Sequence, residues 1–415
     1  MRKLRTSDKS LGESLVSIAQ RVGPLMARQL WRDRSMRQTC FVFALTRLAI
    51  LLIFILADAS VLNRAAPDFN PDDLHPITRV ESRRLTTALQ QTLMRGDSGW
   101  YAGIASEGYE RIPFENTAQH TWAFFPLYPW LLGRAGAVTG EYFLTGALLS
   151  NALFFGALLL LHRLVTALDY AVAIADRTLF YTAVFPVSYF FSLPVTESLF
   201  LFLTVATFLA AAHRRWWAVG LLGALASATR LNGIFLAPAL ALFYLQTTER
   251  EKRGVDFFGL ALIPAGLLAF MFFLWQTTGN PLACIESASA WGRRSGFFLN
   301  PLYQYLRDPL FLIEPWNFKA WNFAAALLAL GGAVFWFARR QWALAIFTFS
   351  SIVLPLSSGT LLSTARFVSV IFPLFLALAI AGRRPWLDHT IRFLFIALFA
   401  LMTLFYALRF SFAAA

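Results

Sequence analysis

The run FVFALTRLAILLIFILA, residues 41–57, decides the fold class. It approaches the roughly 20 residues with which a helix crosses a bilayer core, and no acid interrupts it. Its one charge, Arg47, is an intramembrane cation, expected to snorkel its guanidinium to the cytoplasmic headgroups. The run begins too late and lasts too long for a signal peptide. Residues 1–39 before it carry nine Lys or Arg against three acids and read as a basic cytoplasmic arm.

Composition agrees over the whole chain. Of 415 residues, 58% are hydrophobic, 16% aromatic and only 14% charged, which describes a polytopic membrane protein rather than a soluble one. A formal charge of +13 raises nucleic acid as a partner, until the cations are placed relative to the spans. Beyond the first span, further crossings are expected at about 143–161, 179–193, 198–212, 216–229, 233–245, 257–275, 320–338, 343–356, 367–381 and 393–408, making eleven, two of them short. Lys and Arg then fall at every second connection: Arg163 with Arg177, Arg214 with Arg215, Arg250 with Lys252 and Arg253, Arg339 with Arg340, and Arg383 with Arg384 and Arg392. That alternation is the positive-inside pattern. It sets the N-terminus inside and the C-terminus outside, and turns the basic charge into a topology signal, so no nucleic-acid partner is expected. Cys40 and Cys284 fall on opposite faces in this layout, cannot pair, and read as small buried hydrophobes.

The connection after the first span is the exception in length. Residues 58–121 hold six Lys or Arg and nine Asp or Glu, too long for a simple link, and loops of that size carry function. Within it Pro76 can open a helix on which Leu85, Leu89 and Leu93 recur four apart beside Arg83, Arg84 and Arg95, a pattern for the membrane surface. Gly96 ends that helix and delivers Asp97 in RGDSGWYAGIASEGY, residues 95–109. AFFPLYPWLL, residues 123–132, has two prolines three apart and reads as a short interfacial helix.

The outward connections contain Asp97, Glu107, His120, Glu197, Arg230, Asn232, Arg293, Arg294 and Arg366, a set suited to one outward-facing cavity. An acid with several arginines fits a substrate carrying both a hydroxyl and a phosphate. The carboxylate takes the hydroxyl proton, and planar guanidinium groups grip phosphate oxygens two at a time. Each candidate has a plainer reading: a turn residue for Asp97, a solvated acid for Glu107, an interfacial ring beside Trp122 for His120, a helix-dipole charge for Glu197 and outward snorkelling for Arg230 and Arg366. Trp100, Tyr101 and Tyr109 fit an aromatic belt as well as sugar stacking, and Arg293 and Arg294 read as headgroup contacts.

The run DSGWYAGIASEGY followed by AFFPLYP resembles the signature of the PIG-V type mannosyltransferases, multi-span enzymes of the glycosyltransferase C superfamily. PVTESLFLFL (194–203), ATRLNG (228–233), GNPLACIESASAW (279–291) and ARFVSVIFPLFLALA (365–379) follow in the family's order. The resemblance covers nearly everything from Arg47 onward. It implies a single all-α transmembrane domain (40–415) with an extracytoplasmic catalytic loop (58–122). It also implies inverting transfer of mannose from a polyprenyl phosphate sugar to a lipid-linked or glycan acceptor, with Asp97 as general base. Arg230, Arg366, Glu107, His120, Glu197, Asn232 and Tyr101 are then the substrate-binding candidates. The sequence departs from the family where Trp often precedes this acid: here it is Gly96, which leaves a different sugar or acceptor open.

No metal is expected, because acids are not clustered beside Asp97; Asp72 and Asp73 lie upstream and no Asp-x-Asp occurs. A flippase for lipid-linked sugar or a non-catalytic assembly subunit would share the spans, but no internal repeat supports a transporter. The absence of an Asn-x-Ser/Thr sequon leans towards a bacterial inner membrane over the endoplasmic reticulum.

Overall fold

The computed structural model describes residues 33–57 and 85–414. The arm before Asp33, and the part of the first loop with Pro76, Arg83 and Arg84, lie outside the described residues. The helices, in chain order, are α1 Arg34–Ala57, α2 Leu85–Leu93, α3 Ser98–Glu107, α4 Leu127–Thr139, α5 Phe143–Ala167 and α6 Val172–Ala183. Next come α7 Glu197–Ala212, α8 Trp216–Ser227, α9 Leu236–Thr247, α10 Ala265–Thr278, α11 Ala283–Glu286 and α12 Asn300–Arg307. The last are α13 Lys319–Ala338, α14 Trp342–Leu356, α15 Thr364–Ser369, α16 Phe372–Ala381 and α17 Pro385–Ala407. Short 3₁₀ turns join several of them, and among the described residues there is no strand, only an isolated bridge between Glu314 and Asn317. The all-α membrane fold is as expected from the sequence.

Among the described residues five segments are long and apolar enough to cross a membrane: Arg34–Ala57, Phe143–Ala167, Val255–Thr278, Lys319–Ala338 and Pro385–Ala407. Shorter apolar helices accompany them. On α1 the residues Val42, Thr46, Ile50 and Phe54 are buried, whereas Leu48, Leu52 and Leu56 stay exposed. A leucine face left uncovered in a bundle this oily is a face for lipid tails. Inside, small residues let backbones meet, since a Cβ at Gly220 would lie 2.0 Å from the Gly259 carbonyl oxygen.

Two expected spans are broken, and proline accounts for both. Instead of a span at 179–193, α6 stops at Ala183, ahead of Pro186, and a 3₁₀ turn covers Ser188–Ser192. Proline offers no N–H and disfavours a helical residue before it. The break explains Arg47. Its guanidinium donates to the carbonyls of Ala183 (3.2 Å) and Ser188 (3.0 Å) and to the hydroxyls of Ser188 (2.6 Å) and Ser192 (3.0 Å). Arg47 therefore does not snorkel to headgroups; with the Ser188 hydroxyl it satisfies the Ala183 carbonyl at the end of the helix, and it holds the Ser188 carbonyl in the turn that follows. The second break falls between α15 and α16, where Pro373 opens the later helix, so 367–381 is not one span and Arg366 sits on a separate single turn and a half. The eleven expected crossings are thus not matched one for one.

The bundle has two polar ends. At one, Arg34 meets Asp176, Arg163 meets Asp33, and Arg177 and Arg392 both meet Asp388. The arginines among them are cations that the sequence places on one side. The other end holds the cavity.

Candidate functional site

The α2–α3 joint presents Asp97. Gly96 turns the chain with φ +59°, and a Cβ there would lie 2.7 Å from the Ala414 carbonyl oxygen, so only glycine fits both the conformation and the space. Asp97 occupies the N-cap position of α3: its carbonyl accepts from Tyr101 N at 3.1 Å, but its side chain makes no cap bond. Its carboxylate turns outward to the Arg366 guanidinium. That contact replaces the plain turn reading with a tertiary one.

Arg366 is a hub. Its Nη1 holds Asp97 Oδ2 and its Nε holds Glu197 Oε1, while its guanidinium lies 4.7 Å over the Phe190 ring. Glu197 Oε1 is also 3.2 Å from Arg230 Nη1. Glu197 is fully buried and Arg366 is 6% exposed, whereas Asp97 is 33% exposed and faces the opening. Glu197 opens α7, where the helix dipole favours a carboxylate, but Arg366 and Arg230 are its specific partners. Arg293 completes the group: it donates to the Ser358 hydroxyl at 3.1 Å and, like Arg230, lies over the Phe367 ring. Burial pulls the Arg293 guanidinium down to about 10, with Asp97 acting in the opposite sense, so it stays a cation at neutral pH. It lines the cavity wall.

Asp97, Arg230, Arg293 and Arg366 line a cavity of about 1820 Å³, above the roughly 300–1,000 Å³ of an ordinary small-molecule pocket. Asp97, Tyr101, Glu107, Arg230, Asn232, Arg293, Arg294 and Arg366 all reach its wall. Asn232 is fixed there by donating to the Ser351 carbonyl at 3.1 Å. Tyr101 is buried against Phe124 and Tyr128; burial first, then the Asp97 and Glu197 carboxylates, hold its phenol protonated. Glu107 is exposed at the mouth. His120 lies apart from the wall: it bridges Glu110 (2.7 Å) and Glu115 (2.9 Å) and stacks on Trp122 with centroids 4.2 Å apart. Hydrogen bonds from Thr117 and then His120 hold Glu115 below the usual carboxylate range. His120 thus orders the 110–122 loop.

Sequence reasoning singled out Trp100 but not the wall it forms with Phe124 and Trp291. Trp100 stacks on Phe124 at 5.5 Å, and Trp291 meets both rings edge-on. Trp291 lies far from the other two in sequence, so no local spacing betrays the cluster. Among the described residues no group of three or more His, Cys, Asp or Glu side chains is arranged to hold a metal ion.

No protein-family model matches the chain. Curated relatives do. The GPI alpha-1,6-mannosyltransferase 2 of Rattus norvegicus is 29% identical over 215 residues, covering 49% of this chain and 41% of the rat protein. The Cricetulus griseus protein of the same name is 28% identical over the same length. Over that stretch the chain is similar to these two mannosyltransferases. Its match spans about two fifths of the length of those relatives. Solved structures align more loosely: ArnT from Cupriavidus metallidurans bound to undecaprenyl phosphate shows 17% identity and a TM-score of 0.45, covering 74% of this chain and 60% of ArnT. The Archaeoglobus fulgidus oligosaccharyltransferase in the apo form gives 15% identity and 0.43, covering 92% and 56%.

Proposed function

We propose that this chain is a membrane glycosyltransferase that moves a hexose, with mannose favoured by its relatives, from a polyprenyl phosphate to an acceptor hydroxyl in the cavity. The supporting observation is one partly exposed carboxylate, Asp97, on the cavity wall, joined through Arg366 to a buried group of arginines. The acceptor hydroxyl oxygen attacks the anomeric carbon, its proton passes to Asp97, and the bond from that carbon to the phosphate oxygen breaks from the opposite face, giving inversion. The polyprenyl phosphate departs with the bonding pair, and its developing charge needs cations rather than a protonating acid. Arg230, Arg293 and Arg366 supply them. Glu197, sealed from solvent, holds two of these arginines instead of touching substrate.

The site faces the extracytoplasmic side in this reading, because the basic connections gather at the opposite end, and a bacterial inner membrane suits the sequence. The acceptor is a lipid-linked or other glycan. Asp97→Asn, assayed in membranes with a polyprenyl-phosphate-linked mannose donor and analysed by mass spectrometry of the products, should cut transfer by about 10²–10⁴-fold, the range of a lost general base, with donor binding retained. Unchanged transfer would reject Asp97 as the base, and loss of lipid export without any transferase product would make the protein a flippase.

A further inference from the structure

The segment that delivers Asp97 is fastened from the far end of the chain. Tyr406, in the last turn of α17, is 1% exposed and donates its phenol to the Thr92 carbonyl at 2.9 Å. Its own carbonyl accepts from Arg95 Nη1, and the Arg95 guanidinium lies 5.1 Å over its ring. One turn on, Arg409 donates to Gln91 Oε1 at 3.1 Å. The chain then turns under the joint, so that the Ala414 backbone fills the space beside Gly96. Tyr189 secures that turn by donating to the Ala413 carbonyl at 2.6 Å, and its ring packs on Tyr406 at 5.0 Å. Tyr189 is also next in sequence to Phe190, the ring beneath Arg366.

Residues 91, 92, 95 and 96 are therefore each met by the 406–414 segment, immediately before an aspartate whose side chain takes no support from its own helix. We infer that Tyr406 and Arg95 are positioning residues for Asp97, with the 406–414 segment acting as a brace that sets where the carboxylate stands relative to the arginines. A brace of this kind matters because misplacing a reacting group by about 1 Å can cost on the order of 10²-fold in rate. The inference rests on the transferase reading for its kinetic consequence, though the fastening itself does not.

The test uses the full chain in detergent or vesicles. Tyr406→Phe deletes one hydrogen bond to the loop and keeps the ring, the Arg95 contact and every arginine of the cavity. It should lower kcat about five- to tenfold, on the scale of one such bond, with the donor KM unchanged. Gly96→Ala, which drives a Cβ onto the Ala414 carbonyl, should lower kcat by about 100-fold or more, again without weakening the donor. Hydrogen exchange of the peptide covering 91–101 should quicken in Tyr406→Phe while exchange in α5 and α7 stays at the wild-type rate. Wild-type kcat in Tyr406→Phe, or a rise in donor KM that accounts for the whole loss, would overturn the inference. If the wild-type chain transfers no sugar, the transferase reading falls by itself, and the exchange result then decides the brace: faster exchange confined to 91–101 upholds it, and no change removes it.

Discussion

The two polar ends of the bundle use the same residue types in opposite ways. At the end away from the cavity, Arg34, Arg163 and Arg392 are 62%, 44% and 38% exposed, and their partners Asp176, Asp33 and Asp388 reach water as well. At the cavity end, Arg366 and Glu197 are sealed, and among the described residues Glu197 Oε2 has no hydrogen-bond partner. Exposed pairs are screened and contribute little. Buried ones carry a desolvation cost that their mutual attraction only offsets when geometry is good, so stability alone gives little reason to keep them. On the proposed function, the difference separates charges that mark a membrane face from charges held for chemistry.

The sharpest way to break this comparison is Arg366→Gln. It leaves Glu197 ionised, buried and held only by Arg230, which should cost about 3–5 kcal/mol of stability, read as a large fall in thermal unfolding temperature in detergent. Adding Glu197→Gln should return much of that stability and none of the transfer. A single variant as stable as wild type would mean that the cavity pair is no different from those at the other end. Arg47→Leu comes next, because it strips the charged donor from the carbonyls of Ala183 and Ser188 inside the bundle. A loss of about 1.5–3 kcal/mol is expected from the same measurement, whereas a snorkelling arginine would lose almost nothing. Arg230→Lys keeps the charge but not the planar fork; the donor KM should rise about tenfold with the fold intact. If KM stays put, Arg230 serves Glu197 alone.

What the sequence made legible follows from which signals are local. The membrane fold, the turn at Gly96 and the grouping of Asp97 with Arg230 and Arg366 were readable because span length, glycine chemistry and charge parity act over a few residues or at fixed intervals. The breaks near Pro186 and Pro373 were signalled by those prolines but masked by the surrounding apolar runs. Arg47 was misread for a related reason: its partners, 136 to 145 residues away, exist only because α6 ends early. Nor could any spacing show that Glu197 would turn inward to two arginines, that His120 would bind Glu110 and Glu115 instead of the cavity, or that Tyr406 would reach Thr92. Such contacts are set by tertiary packing, and composition carries no trace of them.

The smallest expected effect defines the other pole of the comparison. Arg163 Nη2 contacts Asp33 Oδ2 at 2.9 Å, a geometry as good as many in the cavity, but the two side chains are 44% and 35% exposed. The hydrogen bond from Arg163 is the main cause that holds Asp33 below the usual carboxylate range, against a smaller opposing effect of burial. A carboxylate depressed on folding stabilises the protein above its unfolded value, near pH ~3.9, and that contribution fades as pH falls through the folded value. Solvent screening keeps it within about 0–1 kcal/mol. Arg163→Ala should therefore melt within a degree or two of wild type at pH 7 and transfer sugar at the wild-type rate. The small gap between the two melting curves should close as the pH is taken below about 4, because protonated Asp33 no longer distinguishes arginine from alanine. A loss at pH 7 as large as that of Arg366→Gln would erase the distinction between screened and sealed charge on which the assignment of the cavity rests.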